Sequence, residues 1–126
     1  MNKILVVDDE ANIRLLYAEE LADEGYEVVT AASTSEAVEK LQESNFDLAV
    51  LDIKLKNESG IDLLQKLVKE RHEMPVILCS AFSCYKDDFS AWLADGYIVK
   101  SGDLTELNQE IARVLAKKAQ RTKAGL

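Results

Sequence analysis

The chain has 126 residues, 48% of them apolar, and a formal net charge of −8, which suits one globular domain and excludes a disordered segment. Its last ten residues carry Lys117, Lys118, Arg121 and Lys123 and no acid, so the remaining 11 bases against 23 acids leave the body near −12, a charge that repels nucleic-acid phosphates and anionic lipid. No apolar run approaches the roughly 20 residues of a membrane span, and Met1-Asn2-Lys3 leads straight into a strand without a cleavable leader, so a cytoplasmic protein with no direct contact to nucleic acid or membrane is expected.

Residues 3–7 read as the first strand. A helix over 11–24 follows, with Ile13, Leu16, Tyr17, Glu20 and Leu21 at helical spacing, and Gly25 closes it. The second strand is 26–30. Ser33, Thr34 or Ser35 caps a helix of about 35–43 whose Val38 and Leu41 face inward. Asp47 to Leu51 is the third strand, and Ser59 or Asn57 opens a third helix carrying Ile61, Leu64 and Val68. Pro75 begins the fourth strand, a position that tolerates the missing N–H. A fourth helix over about 84–94, a fifth strand over 97–99 and a last helix over about 103–119 complete the chain, the last with Leu104, Leu107, Ile111, Val114 and Leu115 on one face. Five βα units in succession predict an α/β domain over 1–119, a parallel sheet with helices on both faces. Residues 120–126 read as a polar tail or the start of a linker.

Ligands of open parallel sheets gather outside the carboxyl ends of the strands. Four strand ends here carry polar residues of complementary type: Asp8-Asp9, Asp52, Ser80 and Lys100. In the loop after the first strand, both Asp8 and Asp9 can turn toward one hard cation, Mg²⁺ or Mn²⁺. Asp52 is the candidate nucleophile, since a carboxylate can accept a phosphoryl group as an acyl phosphate. Three carboxylates alone would repel phosphate; a divalent cation reverses that, and Lys100 and Ser80 add an ammonium and a hydroxyl for the phosphoryl oxygens. Each residue taken singly has a plainer use, as a helix cap, a turn residue or a solvated lysine. Cys79 and Cys84 match no zinc spacing and read as free thiols.

This set resembles a response-regulator receiver domain of two-component signalling, over about residues 2–119. The likeness rests on Val6-Val7-Asp8-Asp9-Glu10, Leu51-Asp52-Ile53, Gly60 eight positions after Asp52, Ser80-Ala81 and Tyr97-Ile98-Val99-Lys100. The resemblance implies a flavodoxin-like doubly wound fold with strand order 2-1-3-4-5. It implies that Asp52 is the phosphoacceptor and that Asp8, Asp9, Asp52 and the Lys54 backbone carbonyl hold Mg²⁺. Ser80 and Lys100 would contact the phosphoryl group, and Tyr97 would swing inward as Ser80 moves. The donor would be a histidine kinase or histidine phosphotransfer protein. The output would pass through the face formed by the fourth helix, fifth strand and last helix to an unnamed protein target. The domain would be a switch rather than an enzyme, as a monomer or weak dimer.

Three rivals fit less well. Aspartyl-phosphate hydrolases place two aspartates two residues apart after the first strand, whereas Asp8 and Asp9 are adjacent. A flavodoxin-type cofactor binder needs a Ser/Thr/Gly-rich loop where Asp8-Asp9-Glu10 stands. Against a degenerate receiver that binds partners without phosphate stands the intact set Asp8, Asp9, Asp52, Ser80 and Lys100, while Ser101 keeps that reading open. Two family prolines are missing: Lys56 stands after Leu55, and Ser101 follows Lys100, where the family bond is typically cis. A non-proline cis bond costs about 3–4 kcal/mol, so a trans Lys100–Ser101 bond is expected, eased by Gly102. Tyr85, Phe89 and Trp92, at i, i+4 and i+7, read as core or, where exposed, as a partner surface. His72 reads as a charge complement near a helix end.

Phe82 and Lys54 flank the phosphoryl mouth by resemblance, and both are large. Phe82 is expected to shield the acyl phosphate from water. Phe82→Ala should therefore shorten the lifetime of the phosphorylated protein, followed as decay of the intact-mass adduct. An unchanged decay rate would leave Phe82 a packing residue only.

Overall fold

The computed structural model describes residues 2–55, 58–70, 73–80, 94–100 and 104–124. In chain order the elements are β1 (Lys3–Val7), α1 (Ala11–Asp23), β2 (Glu27–Ala31), α2 (Thr34–Glu43), β3 (Leu48–Asp52), β4 (Lys54–Leu55) and β5 (Glu58–Ser59). They continue with α3 (Gly60–Glu70), β6 (Val76–Ser80), β7 (Gly96–Val99) and α4 (Thr105–Ala124). Five strands pair in parallel in the order β2-β1-β3-β6-β7, which is the expected 2-1-3-4-5. The helix expected over 84–94 lies outside the described residues except for Ala94, which sits in a bend. Cys84, Tyr85, Phe89, Trp92, Phe82, Lys56, His72 and the Lys100–Ser101 bond also fall outside them.

Strand alternation sends successive side chains to opposite faces, and both faces are covered. Leu5, Val7, Leu51, Val76 and Leu78 pack with Leu41 of α2 and Leu63, Leu64 and Leu67 of α3. Ile4, Val6, Val50, Ile77 and Ile98 pack with Tyr17 and Leu21 of α1 and Leu107, Ile111 and Val114 of α4. Two-sided burial is why β1, β3 and β6 are nearly unbroken apolar runs. α2 is capped as expected: Ser33 Oγ accepts from Glu36 N at 3.2 Å, and a Glu36 carboxylate oxygen accepts from Ala32 N at 3.2 Å.

Several boundaries differ from expectation. Tyr26 N donates to Leu21 O at 3.1 Å, so Tyr26 belongs to the turn after α1 and β2 starts at Glu27. Asp52 pairs with Cys79 and is part of β3, whereas Asp47 precedes it. The antiparallel β4–β5 hairpin was not foreseen, because two-residue strands leave no periodic signal. Leu16 is 42% exposed: the covered stripe of α1 runs through Ile13, Tyr17 and Leu21, which turns Leu16 outward. α4 continues to Ala124 rather than ending near 119, since no glycine or proline intervenes before Gly125.

Two glycines are required for different reasons. Gly25 has φ +95°, a conformation other residues rarely adopt, and open space around a Cβ. At Gly60 the obstacle is steric: a Cβ would lie 1.9 Å from the backbone oxygen of Asp52. Gly60 N also donates to Ile53 O at 2.7 Å, holding the start of α3 against the end of β3. Gly60→Ala must push these segments apart and should cost about 1–3 kcal/mol or more, read as a lower urea midpoint. Leu16→Ser, at an exposed position, should shift stability by less than about 0.5 kcal/mol. Equal effects of the two changes would contradict this reading of the Asp52–Gly60 contact.

Candidate functional site

The sheet register assembles the site. Val7 lies opposite Leu51, Asp52 opposite Cys79, and Ser80 opposite Val99. Asp8 and Asp52 therefore close neighbouring strands at one level, with Ser80 one residue further along and Lys100 one residue beyond that, all at the same edge of the sheet. The ladder continues past the strand ends: Asp8 N donates to Ala31 O at 3.1 Å, Ile53 N to Cys79 O at 3.0 Å, and Lys100 N to Ser80 O at 2.6 Å. Asp8, Asp52 and Ser80 are the buried polar residues among those described.

Lys100 Nζ donates to Asp8 Oδ2 at 2.6 Å and to Asp52 Oδ2 at 3.1 Å. One ammonium thus lies between two buried carboxylates, with a short bond to Asp8 and a longer one to Asp52. Burial pushes the Lys100 pKa down, but its hydrogen bonds to Asp8 and Asp52 and their charges outweigh this and raise it above the ordinary lysine value. The other oxygen of Asp8, Oδ1, accepts from Glu10 N at 2.9 Å, and the Asp8 carbonyl accepts from Arg14 Nη1 at 2.7 Å. Beneath the site, burial pushes the Cys79 thiol up to about 12, with Lys100 opposing and the Asp52 and Asp8 charges adding. Burial, then Cys79, Asp8 and Asp52, likewise raise Tyr17. Cys79 is the free buried thiol expected.

Asp8, Asp9 and Glu10 each offer a carboxylate oxygen within 4.8 Å of the others, with Asp8 buried and its neighbours nearer the surface. Hard oxygen donors at this spacing fit Mg²⁺. Asp8, Asp52 and Lys100 are brought together as anticipated. Ser80 is buried at the end of β6, and Lys54 lies in the hairpin just beyond Asp52. Tyr97 is half-buried and packs, with Ala94, against the α2–α3 side of the sheet. Sequence reasoning gave no role to Glu10 or Arg14. A signal for Arg14 existed: a cation at the fourth residue of a helix opposes the macrodipole and points to some other use.

The family model described as the response regulator receiver domain matches residues 4–112. Among curated proteins, a probable transcriptional regulator, ycf27, of Porphyridium aerugineum is 37% identical over 115 residues, covering 90% of this chain and 48% of that protein. The response regulator ArlR of Staphylococcus aureus is 31% identical over 123 residues, covering 96% of this chain and 56% of that protein. The chain thus spans about half the length of the curated relatives it matches. Among solved structures, the response regulator TrrA of Thermotoga maritima, in complex with Mg²⁺-BeF, is 43% identical with a TM-score of 0.87, covering 90% of this chain and 99% of that one. TrrA in complex with the histidine kinase ThkA matches with a TM-score of 0.85 at the same 43% identity, covering 91% of this chain and 99% of that one. Magnesium is the ion of that relative, and nothing in these comparisons points to manganese.

Removing the ammonium leaves two buried carboxylates facing each other. Lys100→Met should lose on the order of 3 kcal/mol at neutral pH. Because the folded pKa of Lys100 is raised, its contribution is complete below 10.5 and is lost as pH rises through the folded value. Cys79 and Tyr17, also raised, add to this alkaline fall in both proteins. Urea midpoints from pH 7 to 11 should therefore drop more steeply for the parent than for Lys100→Met. Parallel curves would refute the shared-ammonium account.

Proposed function

The chain belongs to the response regulator receiver domains, and on that premise we propose that Asp52 is a phosphoacceptor, charged in a Mg²⁺-dependent reaction. The observation that carries the proposal is the buried Asp8–Lys100–Asp52 arrangement beside the Asp9–Glu10 carboxylates. The residues that would hold Mg²⁺ are Asp8, Asp9, Asp52 and the Lys54 carbonyl. Bound there, the ion would offset the carboxylate charge and polarise the phosphoryl oxygens.

In the transfer, a carboxylate oxygen of Asp52 forms a bond to phosphorus as the phosphorus–nitrogen bond of a donor phosphohistidine breaks. The imidazole leaves with the bonding electron pair. Lys100, released from its carboxylates, and Ser80 contact the phosphoryl oxygens. The donor is a histidine kinase or phosphotransfer protein, and acetyl phosphate is a small substitute. The phosphoryl group gives the two conformations different contacts, which a population shift requires. Ser80 moves toward it, Tyr97 follows inward, and the β7–α4 face changes shape for a protein target. This makes the domain a switch rather than an enzyme. No helix among the described residues is long and apolar enough to cross a membrane, and a cytoplasmic location suits the proposed donors.

The test is intact mass after incubation with acetyl phosphate. The parent with Mg²⁺ should gain one phosphoryl group, while the parent in EDTA and Asp52→Asn should gain none. No adduct on the parent from acetyl phosphate, nor from a panel of phosphorylated histidine kinases, would overturn the proposal. An adduct on Asp52→Asn would move the acceptor elsewhere.

A further inference from the structure

Arg14 brings a further cation to the site, where the proposed transfer gives it no role. Its backbone N donates to Glu10 O at 3.1 Å, the first bond of α1. Its side chain turns back, and Nη1 donates to the Asp8 carbonyl at 2.7 Å. Arg14 thus spans the β1–α1 loop, gripping Asp8 on one side and Glu10 on the other. Among the described residues no carboxylate forms an ion pair with the guanidinium, so its contact at the site is with backbone. Glu10, at the N-cap of α1, makes no side-chain cap. The other bond that shapes this loop is Glu10 N to Asp8 Oδ1, which engages a carboxylate needed for the cation.

We infer that Arg14 is a positioning residue: it holds the Asp8–Asp9 peptide so that both carboxylates face one cation, while leaving them free to exchange Lys100 for it. The physical reason is the division of labour at Asp8. Its carboxylate is shared between Lys100 and the Glu10 amide, and both contacts are open to change when a divalent ion arrives. The Arg14 bond uses only the carbonyl, so it survives either arrangement. Fixing that peptide plane sets the direction in which Asp9 leaves the chain. Partners outside the ligand set that orient it commonly control metal affinity by about 10–100-fold.

This inference rests on the Mg²⁺ site proposed above, and charge alone predicts the opposite sign. A guanidinium near a cation site repels the cation, so neutralising it would tighten binding. The experiment is calorimetric titration of the unphosphorylated parent, Arg14→Met and Arg14→Lys with MgCl₂, with circular dichroism and a urea midpoint of each in EDTA. Positioning predicts about tenfold weaker Mg²⁺ binding or more in Arg14→Met. It predicts recovery to within about threefold in Arg14→Lys, which keeps a donor of similar reach. Affinity unchanged or tighter in Arg14→Met would overturn the inference while leaving the functional proposal intact. An Arg14→Met protein that no longer folds would also overturn it, by giving Arg14 a general structural role. A parent that binds no Mg²⁺ would instead overturn the functional proposal.

Discussion

The Lys100 ammonium between Asp8 and Asp52 is the interaction on which the site depends. Two carboxylates held this close and this buried repel each other strongly in a medium less polar than water. A single shared cation, 2.6 Å from Asp8 and 3.1 Å from Asp52, makes the arrangement tolerable. The same pairing leaves the site able to change. Under the proposed function, a cation would compete with Lys100 for the carboxylates, and a phosphoryl group would compete with the carboxylates for Lys100. Asp9 and Glu10 extend the acidic surface outward from Asp8.

That triad is possible because the paired strands bring their ends together. Parallel pairing of β1, β3, β6 and β7 brings residues separated by up to 92 positions, Asp8 and Lys100, to one edge. Apolar packing on both faces supplies most of the stability, so the polar groups at the strand ends are positioned by a frame they do not have to hold up. The contact of Gly60 with the Asp52 carbonyl extends the frame to the loop that follows β3. A side chain there would displace the strand end itself.

Much of this was legible in the sequence. The continuous apolar runs Ile4–Val7, Leu48–Leu51 and Val76–Cys79 announced strands buried on both faces, and the alternation with helices announced their parallel order. Asp8, Asp52 and Lys100 stood out because charges closing apolar runs are costly unless they meet. What stayed hidden depends on orientation. Leu16 fits the helical spacing but misses the buried stripe by a small rotation. The β4–β5 hairpin is too short to leave a period. Arg14 meets the site through a backbone carbonyl, and carbonyls carry no residue identity.

The sequence by itself determined which elements form and which residues close them, because hydrophobic period and strand-end polarity are local properties of the chain. It also determined that a glycine stands eight residues after Asp52. Only the tertiary structure decided that this glycine is needed for space rather than for a special backbone angle. It alone decided that Lys100 lies between two carboxylates and that Arg14 reaches back to Asp8. The reason is geometric: electrostatic and hydrogen-bond energies depend on distance and direction between residues far apart in the chain, and those exist only once the strands are paired in register.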